Sequence, residues 1–282
     1  MAFQHLIFDV ADEIATITLN RPEARNALSE PMRSELDAVL AELKREGGRS
    51  VKAAIVTGAG RAFCAGGDVK AMQSRQKGAE FNRRRMREGH NRFYDLMNLE
   101  MPVIAAVNGA AAGAGFNLAL ACDFILATPR SIFMQAFGRI GLVPDWSGFY
   151  LLPRIVGLQR AKELIFSARK LGAAEAREYG IVHEIHEEDA IMDAARALAG
   201  RFTKASTTAI GLSKTILNQS FNLDHRTMLE MEAFAQSVAS GSEYHAAAVA
   251  RFVGKQPALF DWEAMDRAQA DAPAAADTLA AE

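Results

Sequence analysis

The sequence predicts an α/β core followed by a helical C-terminal region. Three observations carry this. Short β-branched or apolar runs alternate with loops and with stretches of helical periodicity from Leu6 to Ile185. After Ile181-Val-His-Glu-Ile no strand pattern recurs and helical spacing takes over. Hydrophobic residues make up 50% of the 282 positions, enough for a sizeable core.

The opening reads as a hairpin, Leu6-Ile-Phe and Ile14-Ala-Thr-Ile-Thr-Leu, on either side of Ala11-Asp12. Asn20 to Ser29 breaks it. Ser29 and Pro31 then start a helix that carries Met32, Leu36, Val39, Leu40 and Leu43 on one face. Gly47-Gly48 ends that helix, Val51 to Thr57 is a strand, and Gly58 to Asp68 is a glycine-rich loop. Residues 69–99 have a helical but polar pattern. Their basic run, Arg83-Arg-Arg-Met-Arg87, lacks interleaved aromatic residues and reads as a solvated face. Pro102 to Val107 is a buried strand, followed by a second glycine loop (Asn108–Gly115) and a helix to Cys122. Phe124 to Ala127 and Ile132 to Met134 are two more strands. Helices are expected at 158–168, 173–179, 189–202, 206–219, 225–240 and 243–254. The last of these are rich in Met, Phe, Leu and Ala, as expected of segments packed on another body. The chain thus divides into a core over 1–200, a helical region over 201–265, and an Ala- and Asp-rich tail over 266–282 with too little apolar bulk to pack, expected to be disordered.

Lys plus Arg (32) nearly balances Asp plus Glu (34), so no global field draws the chain to nucleic acid or an anionic membrane. The N-terminus lacks the pattern of a signal peptide and no eighteen-residue apolar span occurs, so a cytoplasmic protein is expected. Cys64 and Cys122 are the only cysteines, without the spacing of a metal site or a disulfide framework.

Candidate chemistry concentrates between Met101 and Lys162, where only two carboxylates occur, Asp123 and Asp145. Two loops that follow buried strands, Phe63 to Asp68 and Gly113 to Gly115, offer backbone N–H groups among small side chains, an arrangement suited to a developing oxyanion. The glycine spacing does not fit a dinucleotide loop.

Five segments in order resemble the crotonase, or enoyl-CoA hydratase/isomerase, superfamily: Asn20-Arg-Pro-Glu-Ala-Arg-Asn-Ala-Leu, Gly60-Arg-Ala-Phe-Cys-Ala-Gly-Gly-Asp, Pro102 to Gly115, Cys122-Asp123 and Leu151-Leu-Pro-Arg-Ile-Val-Gly. The resemblance runs from roughly Ile14 to Phe260. It implies a spiral of ββα units with a C-terminal α-helical trimerisation region, an acyl-CoA substrate, a homotrimer or dimer of trimers, and no cofactor beyond the coenzyme A of the substrate. It places the oxyanion donors on the N–H groups of Cys64 and Ala114. Loss of one such donor raises a barrier by about 3–4 kcal/mol.

Where hydratases of the family carry two glutamates, this chain has Asn117 and Phe137. Hydration needs an acid and a base on one water, so the resemblance points away from ordinary hydratase activity. Asp145, in Gly141-Leu-Val-Pro-Asp-Trp-Ser-Gly, resembles the proton-shuttling acid of the 1,2-epoxyphenylacetyl-CoA isomerase-like branch. Val143, Pro144 and Trp146 should desolvate it. The plainer alternative is a helix cap. Asp123 reads as a structural partner of backbone N–H groups. His90, with Tyr94 and Met97 on an expected pocket-facing stripe, is a further candidate. Phe137, Trp146, Phe149 and Tyr150 are expected to line an acyl pocket. For coenzyme A the resemblance implies Arg25, the backbone of Ala65, Gly67 and Asp68, and Phe252 with Lys255 of a neighbouring subunit. Hydratase activity, an Asp145 nucleophile in dehalogenation or hydrolysis, and a non-catalytic binding protein remain open alternatives.

Overall fold

A computed structural model describes residues 3–73 and 78–270. The chain winds as repeated strand, strand, helix units. The first holds β1 (Leu6–Ala11), β2 (Ile14–Leu19) and α1 (Glu30–Glu46). The second holds β3 (Ala53–Gly58), β4 (Ala62–Cys64), α2 (Val69–Gln73) and α3 (Ala79–Met97). The third is β5 (Val103–Val107), β6 (Ala110–Ala112) and α4 (Ala114–Leu120). The fourth opens with β7 (Phe124–Ala127) and β8 (Ile132–Met134). It continues through a 3-10 turn (Ala136–Ile140), α5 (Gly148–Val156), α6 (Leu158–Ser167), β9 (Leu171–Gly172), α7 (Ala173–Glu178) and β10 (Glu184–Ile185).

From the second unit on, the two strands of each unit go to different sheets. The larger sheet has the order β1-β2-β3-β5-β7-β10 and the smaller β4-β6-β8-β9. In the larger sheet only the β1–β2 pair is antiparallel. Period-two alternation buries both faces of this sheet. Val103, Ala105 and Val107 face the main core, while Ile104 and Ala106 meet Ile55, Leu126 and the α8 residues Ala195 and Ala199 (α8, Ile191–Phe202). Of the smaller sheet only β8, Ile132–Met134, is expected from the sequence as a strand; β4 and β6 fall in segments expected as loop. Its three-residue strands Ala-Phe-Cys and Ala-Ala-Ala have no β-branched alternation to announce them.

Asn26 holds the turn between the sheets. Its buried amide donates to the carbonyls of Ala59 (2.9 Å) and Ala62 (2.8 Å), and its oxygen accepts from Arg21 N–H (2.9 Å). Gly115 fills the other crossing: a Cβ there would lie 2.3 Å from the Cys64 carbonyl oxygen, so α4 packs directly on the β4 backbone.

The remaining helices are α9 (Thr207–Leu217), α10 (His225–Ser240), α11 (Glu243–Val253) and α12 (Trp262–Ala270). Helix α9 is tied to the core through Lys214 Nζ, which donates to Asp123 Oδ2 (2.7 Å) and to the Met101 carbonyl (3.0 Å). Asp123 also accepts from Val103 N–H at 2.7 Å, the structural role expected of it. Helices α10 and α11 contain no buried residue and expose Leu229, Phe234, Val238, Val249 and Phe252. Helix α12 runs to Ala270, so the expected tail does not begin at 266; the tail positions 271–282 lie outside the described residues. Among the described residues no helix is long and apolar enough to cross a membrane.

Candidate active site

A cavity of about 430 Å³ opens where the two sheets, α1, α3 and the segment after β8 meet. Ala65, Gly67, Ala114, Phe137, Asp145 and Trp146 line it together. Ala114 opens α4, so its N–H has no carbonyl one turn earlier to bond. Gly113, at φ 51° and ψ −123°, makes the turn that starts this helix, and the Phe137 ring covers it, 3.7 Å from where a Cβ would stand. Cys64 lies beside this turn, fully buried in β4. Its thiol donates to the Asn26 carbonyl (3.2 Å), and burial pushes its pKa up to about 12, so the sulfur is not a nucleophile.

Asp145 sits on a strained loop. Trp146 and Ser147 both take left-handed backbone conformations (φ 50° and 60°), uncommon outside glycine. The Trp146 ring is held edge-on to Phe93 at 4.5 Å, and Arg92 Cζ lies 5.8 Å from the centre of the indole ring system. Asn117 anchors the loop from below: its side-chain amide donates to the Asp145 carbonyl at 2.7 Å, and Gln135 Nε2 donates to Asn117 Oδ1 at 2.8 Å. Asp145 Oδ1 is buried with no hydrogen-bond partner among the described residues. Burial raises the Asp145 pKa above the ordinary carboxylate value, while the charges of His90, Arg85 and Arg33 pull it partly back. The desolvating neighbours are Pro144 and Trp146; Val143 is exposed. The capping alternative does not hold, because α5 begins at Gly148 and receives no side-chain cap.

A model of the family described as enoyl-CoA hydratase/isomerase matches residues 9–263. The chain belongs to the enoyl-CoA hydratase/isomerase family. It is 33% identical over 262 residues to the 1,2-epoxyphenylacetyl-CoA isomerase of Escherichia coli K12, covering 91% of this chain and 98% of that one. It is 34% identical over 259 residues to the short-chain-enoyl-CoA hydratase of Clostridium acetobutylicum, covering 91% and 97%. Among solved structures, an enoyl-CoA hydratase/isomerase from Cupriavidus metallidurans CH34 superposes with a TM-score of 0.88 at 38% identity, covering 92% of this chain and 97% of that one.

Several expected site residues of this family member stand elsewhere. His90 and Tyr94 are exposed and do not line the cavity, while the His90 charge still reaches the Asp145 carboxyl. The inward stripe of α3 is Asn82, Arg85, Gly89 and Phe93, because the apolar partner Trp146 packs on Gly89, whose missing Cβ would lie 3.1 Å from the indole nitrogen. Phe149 is exposed, and Tyr150 turns away to donate to the Asn218 carbonyl (2.8 Å), so neither lines the pocket. Asn117 is fully buried and lies behind the wall as an anchor. The Asp68 carboxylate accepts from Ala71 N–H and Arg21; the expectation for this residue concerned its backbone. The Arg25 side chain is exposed, and its carbonyl accepts Ala65 N–H (2.9 Å). Phe252 and Lys255, expected at the site of a neighbouring copy, are exposed at the end of α11. Sequence reasoning missed Arg33 and Arg85 in the wall. The signal was the helical stripe through Asn82, Arg85 and Gly89, hidden within the basic run.

Proposed function

We propose that the chain is an acyl-CoA isomerase with Asp145 as the single group that moves a proton between carbons of the acyl chain. One observation carries the reading. Among the described residues Asp145 is the only carboxylate lining the cavity, and its Oδ1 is buried and unbonded. A desolvated carboxylate with a raised pKa is suited to taking a carbon-bound proton and returning it. In the proposed cycle Asp145 removes a proton from a carbon conjugated through to the thioester, and the electron pair moves onto the thioester oxygen. The N–H groups of Cys64 and Ala114 hold that enolate oxygen. The protonated Asp145 then delivers its proton to the other end of the conjugated system, which shifts the double bond.

Ala65 and Gly67 are proposed to run along the coenzyme A moiety with the Asp68 backbone, and Arg25 to meet its phosphates. Phe252 and Lys255 would come from a neighbouring copy. A trimer, or a pair of stacked trimers, is proposed from the apolar faces of α10 and α11, which have no cover within the chain. Light scattering that returned a monomer at micromolar concentration would contradict it.

The test of the chemistry is deuterium wash-in from heavy water into unsaturated acyl-CoA. The reading fails if the native enzyme shows none, or if Asp145→Asn leaves it undiminished. Similarity to a hydratase at 34% identity, against 33% to the isomerase, favours a second reading, in which Asp145 activates a water. Crotonyl-CoA hydration that disappears in Asp145→Asn would support that one instead.

A further inference from the structure

A carboxylate can pass a proton between two carbons only if it is held in place, and the loop that carries Asp145 does not hold itself. Trp146 and Ser147, which follow it, stand in left-handed backbone conformations at φ 50° and 60°. In residues other than glycine such conformations persist only where the surroundings over-determine them. One restraint is on the main chain: the Asp145 carbonyl accepts from the Asn117 side chain (2.7 Å) and from Gly148 N–H (3.0 Å). The other is on a side chain, the Trp146 ring, which is 4% exposed against α3.

The socket for that ring is built from Gly89, Arg92 and Phe93, whose spacing of three and four residues puts them on one face of α3. Gly89 is its floor: a Cβ there would lie 3.1 Å from the indole nitrogen and 3.6 Å from Cε2. Phe93 meets the ring edge-on at 4.5 Å. Arg92 Cζ lies 5.8 Å from the ring centre, and the guanidinium is kept there by Asp37 of α1, whose Oδ1 accepts from Nε at 2.6 Å. Gly89 is the one glycine within α3, and a glycine inside a helix is less stable there than alanine. The close approach of the indole gives that glycine a physical reason. Trp146 itself lines the cavity beside Asp145, so the socket lies one residue from the acid.

We propose that Gly89 and Arg92 are positioning residues for the proton shift, which fix the Asp145 carboxylate in the cavity by seating the Trp146 ring behind it. The inference rests on the reading of Asp145 as the group that moves the proton. A methyl group added at 89 displaces the ring, and the ring takes its own backbone and that of Asp145 with it. Neither Gly89 nor Arg92 lines the cavity, so the surface offered to the acyl-CoA is otherwise kept.

Deuterium wash-in over a range of substrate concentrations tests this, on whichever of a panel of unsaturated acyl-CoAs, crotonyl-CoA among them, the native enzyme exchanges fastest. Gly89→Ala should lower kcat about tenfold, since small misplacements of a reacting group are costly, with KM changed by less than about twofold. Its thermal midpoint should hold or rise, because alanine favours the helix. Arg92→Met is an independent route to the same displacement and should give the same split, while Arg92→Lys should recover part of kcat. The ring is followed directly in a Trp262→Phe background, where Trp146 is the only tryptophan. There acrylamide quenching should increase in Gly89→Ala and in Arg92→Met. Native kcat in both variants overturns the proposal, and so does a fall in kcat with quenching unchanged or with an equal rise in KM. Wash-in that is absent from the native enzyme, or that survives Asp145→Asn, removes the reading of Asp145 and this inference together. Wash-in lost in Asp145→Asn but kept in Gly89→Ala and Arg92→Met removes this inference alone.

Discussion

Asn117 and Asp145 are joined through the main chain: the amide of the first donates to the carbonyl of the second across 2.7 Å. The family resemblance places a hydratase glutamate at position 117, and here that position aims the loop bearing the alternative acid. Gln135 donates to Asn117 Oδ1, so the NH₂ side of Asn117 must face Asp145.

Restoring the glutamate should therefore not restore hydration. In Asn117→Glu the side chain cannot donate to the Asp145 carbonyl, and it meets Gly148, whose missing Cβ would already lie 2.5 Å from Asn117 Nδ2. The expected loss is about 2–4 kcal/mol in urea unfolding, from an unsatisfied carbonyl and a crowded buried carboxylate. Acyl-CoA deuterium exchange should fall and crotonyl-CoA hydration should not appear.

Asp145 is expected to give activity an acidic limb. Its folded-state pKa is raised by burial, and the base is the ionised form, so kcat should rise with pH through a value above that of an ordinary carboxylate. The linkage has the opposite sign for stability. A raised folded pKa makes the native state bind more protons than the unfolded chain, so this residue's contribution is present at low pH and lost as pH rises through the folded pKa. Asp145→Asn should thus be inactive yet more resistant to urea than the native protein at neutral pH. Equal stability across pH would contradict the burial argument.

Two neighbouring glycines should respond differently to alanine. Gly113→Ala has room, since a Cβ would contact the Phe137 ring at 3.7 Å, but its backbone conformation favours glycine; a loss of about 1–3 kcal/mol is expected. Gly115→Ala drives a methyl group into the Cys64 backbone, and about 4 kcal/mol or failure to accumulate folded protein is expected. Thermal denaturation of the two variants side by side gives the comparison.

Lys214→Met should separate α9 from the core. Asp123 keeps Val103 N–H as a donor, and with its side chain 25% exposed the loss of its cation costs about 2 kcal/mol. Burial already raises the Asp123 pKa and Lys214 lowers it, so the variant's pKa should rise further and its deficit should shrink as pH falls. Urea titrations at neutral and acid pH measure both.

The parts of this molecule legible in its sequence are those where a single residue type has a single physical use. The Val- and Ile-rich strands of the larger sheet, the glycine turn before Ala114, and Asp145 as a solitary acid are of that kind. In the smaller sheet β8 was legible but β4 and β6 were not, because an Ala-Ala-Ala strand carries no pattern of its own and exists through pairing with β4 and β8. Arg85 was hidden among four arginines in five positions. The packing of Gly89 on Trp146 sets the rotation of α3, turning Arg85 inward and His90 outward.

The crossing of α4 over β4 has a wider consequence. The part of the cavity that would grip a carbonyl oxygen consists of main chain, pressed together where no side chain fits. Few single codon changes can retune it; most would break it. The opposite wall is drawn from α1, α3 and the segment after β8, whose side chains can be exchanged one at a time. Sequence drift can therefore reshape that wall residue by residue while the main-chain turn stays out of its reach.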